Sequence, residues 1–170
     1  MSAPKSSTVL TYGLYFGLVS VVYLLIVSYA GLIGNTVVGL LWYPILIVIL
    51  VLGLKQYKER ENQGILKYSQ GLGLSTLIGL VGGTIYGVFT YVFYAIIDPS
   101  MHEKFIAFSQ EAALQQGTSE AQLEQVEGFM NLFLSPGALS VFSFIGAIFW
   151  ACVFSLIISA ILKKDPETGF

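Results

Sequence analysis

Few residues in this chain have the type and spacing that chemistry needs. His102 is the sole histidine and Cys152 the sole cysteine. His102 is followed by Glu103-Lys104-Phe105-Ile106, which is not the H-E-x-x-H pattern that sets two imidazoles on one helix face around zinc. Cys152 lies inside a long apolar run, with no second cysteine for a disulfide and no paired base to make a thiolate. The stretch GLGLSTLIGLVGGTIYG, Gly71 to Gly87, is glycine-rich enough to invite a phosphate-loop reading. Such loops read G-x-x-x-x-G-K-[ST], or G-x-G-x-x-G between a strand and a helix. Here Gly71-Leu72-Gly73 runs into Leu74-Ser75-Thr76, and no lysine follows the later glycines. No catalytic, cofactor-binding or metal residue is assigned, no cofactor is implied, and the chain reads as non-enzymatic.

The elements that would position these residues follow from composition. Of 170 residues, 55% are hydrophobic and 11% charged, against about 25% charged in soluble domains. No Asp, Glu, Lys or Arg lies between Ser6 and Leu54, between Tyr68 and Ile97, or between Ala138 and Leu162. A hydrocarbon core of about 30 Å takes about 20 helical residues to cross, so the first gap holds two spans, divided at Gly31-Leu32-Ile33-Gly34-Asn35-Thr36. The expected fold is an all-α polytopic membrane protein, a single unit over 1–170. Its four spans are read at 8–32, 36–54, 68–97 and 137–162, with an insertion at 98–136. The first span is too long for a signal-peptide core of about 7 to 15 residues and is expected to be retained.

Lys5, Lys55, Lys58, Arg60, Lys67, Lys163 and Lys164 fall on one side of these spans and Lys104 alone on the other. Basic residues favour the cytoplasmic side, which places both termini there and the insertion outside. Within the insertion, Pro99 opens a helix with Met101, Phe105, Ile106, Phe108, Ala112 and Ala113 on a broad apolar face, and Gly117 ends it. Ser119-Glu120-Ala121-Gln122 reads as a capping box for a second helix carrying Leu123, Val126, Met130 and Phe133. The result is an amphipathic hairpin, acidic through Asp98, Glu103, Glu111, Glu120, Glu124 and Glu127. Such a surface repels nucleic acid and anionic lipid, and Glu120, Glu124 and Glu127 are the candidate docking face for a basic partner.

In lipid the glycines gain a purpose. Membrane helices win little hydrophobic energy by touching and associate through close packing at small residues. Gly71, Ser75, Gly79, Gly83 and Gly87 form a row at spacings of four, and Ser143, Ala147, Ala151, Ser155 and Ser159 repeat it on the last span. These rows are read as helix-packing interfaces, within one chain or between copies. Unwinding at Gly82-Gly83 to expose carbonyls is the alternative use. Pro44 is expected to kink the second span. Tyr12, Tyr15 and Tyr68 at one end, and Tyr91, Phe93 and Tyr94 at the other, are expected in interfacial belts.

Val51-Leu52-Gly53-Leu54-Lys55-Gln56-Tyr57-Lys58, the Gly64 to Gly71 stretch, Ile97-Asp98-Pro99, Ser135-Pro136-Gly137 and Ala160-Ile161-Leu162-Lys163-Lys164 resemble a DUF4199-type family of small Bacteroidetes inner-membrane proteins, a domain of unknown function. The resemblance implies four spans, an outer acidic insertion and an inner-membrane location, and carries no activity or binding residue. The spans hold no Asp, Glu, Lys, Arg or His, which disfavours proton relays and voltage sensing. The expected role is therefore an accessory, scaffold or assembly subunit of a larger membrane complex, its partners the bilayer and other inner-membrane proteins or a second copy. A small oligomeric transporter or channel for a neutral or lipid-like solute is the alternative. In a Cys152→Ala background, a cysteine placed at Glu124 should react with an impermeant maleimide in intact cells, and one at Lys58 only after lysis. Labelling of both positions from the same side contradicts the orientation.

Overall fold

Backbone N–H and C=O groups in hydrocarbon must bond within their own segment, which an apolar chain achieves as helices. The protein, seen in a computed structural model, is described over residues 6–164, apart from the side chains of Ser6 and Val126; Lys5 lies outside the described residues. Six α-helices follow in order: α1 Ser6–Tyr29, α2 Thr36–Gln56, α3 Tyr68–Val92, α4 Pro99–Gln115, α5 Glu120–Phe133 and α6 Pro136–Leu162. Short π-helical turns, Tyr57–Glu61 and Phe93–Ile97, prolong α2 and α3. Among the described residues there is no strand, only an isolated bridge between Leu66 and Lys164. Helices α1, α2, α3 and α6 are each long and apolar enough to cross a bilayer. The chain is a multi-pass membrane protein.

Local chemistry explains the ends. The first span stops at Tyr29, short of the expected Leu32, because Gly31 takes φ +68, a conformation that admits glycine cheaply. The Leu32 N–H then bonds the Val27 carbonyl at 3.0 Å and the Gly31 N–H bonds that of Ser28 at 3.3 Å, a Schellman closure. Asn35 caps α2 through the Val38 N–H at 3.1 Å. That helix runs past the expected Leu54 to Gln56 and through the π turn. Ser119 and Gln122 form the reciprocal capping box that opens α5. Ser135 caps α6 with Pro136 in its first turn, one residue ahead of the expected Gly137.

At the end bearing Lys55, Lys58, Arg60, Lys67, Lys163 and Lys164, polar contacts tie the chain to itself. Ser7 and Thr8 donate to the Glu61 carboxylate, which lies where the positive end of the α1 dipole favours an anion. Lys58 Nζ donates to the Leu162 carbonyl at 3.0 Å. At the opposite end Phe93 and Tyr94 turn inward, 0% and 7% exposed, into a cluster with Leu24 and Met101. This differs from the expected belt: the π turn adds a residue to the last circuit of α3 and rotates both rings onto α1 and α4. Met101 seats α4 on this cluster, and the Phe108 ring covers Gly34 where a side chain would collide with it.

Helix α3 is central and has two small-residue faces. A methyl group added at Gly79 would stand 2.6 Å from Ala151 Cβ and 3.3 Å from the Ala147 carbonyl; at Gly83 it would meet Ala147 Cβ at 3.0 Å, and at Gly71 Ser159 Cβ at 2.8 Å. On the other side Gly82 lies under Phe16, while Gly13 and Gly17 of α1 receive Val81 and Ile85. Gly82-Gly83 therefore stays helical, its missing side chains replaced by neighbouring atoms. Thr76, Thr84 and Thr90 satisfy their hydroxyls on carbonyls one turn back, at 2.8 to 2.9 Å. Ser140 donates across the seam to the Gly87 carbonyl at 2.8 Å. Gly79→Val should lower the melting temperature of the purified protein in detergent, since overpacking of a tight core costs about 1–3 kcal/mol. Gly73→Ala, at a position with open space around it, should not. Equal melting temperatures for Gly79→Val and wild type would contradict the packing.

Candidate functional site

Helix α2 meets the bundle along half its length. Leu46, Ile49, Leu50, Gly53 and Leu54 are buried, whereas Val37, Leu40 and Leu41 are more than half exposed. Pro44 separates the halves and withholds a hydrogen bond from the Leu40 carbonyl, a weak point in the ladder. Aromatic contacts pin the helix there. Tyr43 packs edge-on to Trp150 with ring centres 4.9 Å apart, and Trp42 packs on Phe16 at 5.7 Å. The Tyr23 hydroxyl donates to the Val38 carbonyl and ties the start of α2 to α1.

Between these ties a cleft of about 370 Å³ opens. Its walls are Gly39, Trp42 and Tyr43 of α2, Tyr23 of α1, Tyr86 of α3, and Leu139, Phe142, Ser143, Gly146, Ala147 and Trp150 of α6. The volume lies within the range of about 300–1,000 Å³ for small-molecule sites. Apart from the tyrosine phenols the lining has no ionisable side chain, and Tyr86 and Ser143 each bring a hydroxyl to it. Such a wall holds a neutral molecule through aromatic faces and a few hydrogen bonds.

Most of the row on α6 meets the row on α3 within one chain. Gly71 faces Ser159, Gly79 faces Ala151 and Gly83 faces Ala147. Ser75, Ser155 and Ser159 are buried, and the Ser75 and Ser159 hydroxyls have no hydrogen-bond partner among the described residues, so size is what these serines supply. Ser155 bonds back to the Cys152 carbonyl at 2.7 Å. Ser143 departs from the seam and lines the cleft, while Ser140 and Phe144 meet Gly87 instead. The reason is helical pitch: at about 3.6 residues per turn, a spacing of four overshoots each circuit, and the row drifts around the helix.

Glu120, Glu124 and Glu127 lie exposed on one side of α5 and, with Gln110, Leu114 and Leu123, border a second cavity of about 320 Å³ against α4. The opposite side of α5 exposes Phe129, Leu132 and Phe133, and Phe133 stacks on Phe142 of α6 at 5.7 Å. His102 Nε2 donates to the Leu134 carbonyl at 2.6 Å and straps α4 to the turn before α6. Cys152 is exposed on the bundle surface. Among the described residues no group of three His, Cys, Asp or Glu converges as a metal ion would need. The Ser100 hydroxyl bonded to Asp98, with weaker help from Tyr29, the Met101 N–H and Lys104, holds the Asp98 carboxyl below the usual carboxylate range despite some desolvation.

Sequence reasoning missed two things. Gly13-x-x-x-Gly17 is a legible small-residue pair, and its spacing alone points to the α1–α3 contact. The cleft had no such signal: its residues come from all four spans, and only the folded bundle brings Trp42, Tyr86 and Trp150 around one space.

No curated protein and no solved structure matches the chain. A family model described as "Protein of unknown function (DUF4199)" matches residues 11–164. That range includes most of the first span, the other three spans, the insertion and both glycine faces of α3, and the chain accordingly belongs to the DUF4199 family.

Proposed function

We propose that the protein is a non-catalytic subunit of a bacterial inner membrane, with both termini cytoplasmic, that docks in or helps assemble a larger membrane complex. The observation that carries this reading is the two-sided exposure of α5. Glu120, Glu124 and Glu127 stand free on one face, and Phe129, Leu132 and Phe133 are exposed on the other. A helix so divided lies in a bilayer interface, apolar side down. Its acidic side repels anionic headgroups and attracts a basic protein surface. Both small-residue seams of α3 are already filled by α1 and α6, which leaves α5 and the outer faces of α2 and α6 for partners. The basic end supports the orientation through the positive-inside rule.

A second reading, transport of a neutral or lipid-like solute by an oligomer of this chain, is favoured by the cleft beside α2. Purification in mild detergent separates the two. The wild-type chain should retain other inner-membrane proteins, and Glu120→Lys with Glu124→Lys and Glu127→Lys should reduce their recovery several-fold while the melting temperature stays unchanged, since all three side chains are exposed. Recovery of a lone monomer or homodimer that moves solute into liposomes contradicts the docking reading.

A further inference from the structure

Glycine inside a helix is less favourable than alanine, and Gly71, Gly79, Gly82, Gly83 and Gly87 of α3 offset that by admitting a neighbouring helix. Gly39 and Gly146 do not. Gly39 sits in the first turn of α2 and Gly146 well inside α6, and a methyl group added at either would meet nothing within 4 Å. Both line the cleft. Their missing side chains keep a space open where closure would otherwise be easy.

The walls of that space are unlike the rest of the bundle surface. The outward faces of α1, α2 and α6 are mainly Leu, Val and Ile. Of the eleven residues lining the cleft, Tyr23, Trp42, Tyr43, Tyr86, Phe142 and Trp150 are aromatic. Aliphatic walls serve a lipid tail equally well, so this enrichment selects for a flat ring, which gains from stacked and edge-on aromatic contacts beyond area burial. The Tyr86 and Ser143 hydroxyls bring polar atoms to the wall, and each can donate a hydrogen bond. The complement is a neutral ring that carries acceptor oxygens. With charge absent from the lining and the cleft open at the bundle surface, such a molecule enters sideways from the bilayer.

We propose that the cleft between α2 and α6 binds a neutral, lipid-soluble molecule with a flat unsaturated ring bearing carbonyl oxygens, the quinone class. The proposal goes beyond partner docking and stands independently of it, since the acidic face of α5 plays no part. The experiment is direct because the chain has two tryptophans, Trp42 and Trp150, and both line the cleft. The full chain is reconstituted in phosphatidylcholine vesicles and its tryptophan emission is followed on addition of decylubiquinone, with a phospholipid brominated in its acyl chains as a parallel quencher. Quenching by the quinone should saturate while it is still dilute in the bilayer. Gly39→Leu with Gly146→Leu should abolish the saturable component at unchanged melting temperature, and Ser143→Ala should shift its midpoint about three- to tenfold, the worth of one hydrogen bond. Should the double variant lose stability, Gly39→Leu alone gives the same comparison. Three results would each overturn the proposal: quinone quenching that is linear in concentration and equal in all variants, saturable quenching that survives filling of the cleft, or saturable quenching by the brominated lipid without any by the quinone.

Discussion

Close approach of backbones at the two small-residue faces of α3 is the contact on which the rest of this bundle depends. Lipid tails match leucine in polarity, so helices in a bilayer lack the hydrophobic drive that assembles soluble cores. What remains is dispersion, which falls off steeply with any gap. Gly71, Gly79, Gly83 and Gly87 bring α6 onto α3 on one side, and Gly82 with Gly13 and Gly17 brings α1 onto it from the other. The three helices form a slab with α3 inside it, and α2 leans on that slab through Leu46, Leu50 and Leu54. The same contact locates the open region, since the end of α2 before Pro44 has no glycine seam to join.

Much of this was legible before any coordinates. Uninterrupted apolar runs gave the spans, because a bilayer imposes one length on every crossing helix. Caps such as Ser119 with Gln122, and Ser135 before Pro136, were readable because their hydrogen bonds are local. The row Gly71 to Gly87 could be recognised as a packing face because its period is that of a helix. Three features were not legible. The exit of the first span at Tyr29 depends on Gly31 turning left-handed, and Gly34 in the same turn does so as well, so composition alone does not say which of the two ends the helix. The inward rotation of Phe93 and Tyr94 depends on one additional residue in a π turn, which leaves no mark in periodicity. Ser143 left its row because a spacing of four outruns the helical pitch, and the drift matters most at the end of a long seam.

The candidate site lies where local rules say least. Trp42 and Tyr43 beside Pro44 read as a kink in one helix, and Trp150 as one aromatic among many in another. Together with Tyr86 they become a wall because the α3–α6 seam sets how far α6 stands from α2. The acidic side of α5 is the opposite case: Glu120, Glu124 and Glu127 share a face by helical spacing alone, and nothing in the fold covers them. The bundle thus separates two kinds of contact. Packing that needs backbone proximity is completed inside the chain, and surfaces that could receive another molecule lie at its insertion end and beside the loose half of α2.

The claim beneath this account is that α3 and α6 of the same chain meet glycine against alanine. Cysteines at Gly83→Cys and Ala147→Cys, in a Cys152→Ala background, measure it directly, because a disulfide needs Cβ atoms about 3.5–4.5 Å apart and the two sites would place theirs 3.0 Å apart before relaxation. Oxidation in native membranes should give a cross-linked monomer of altered mobility on a non-reducing gel, independent of expression level. A cross-linked dimer as the sole product, or no cross-link from either site, would contradict the packing on which the fold and its cleft rest.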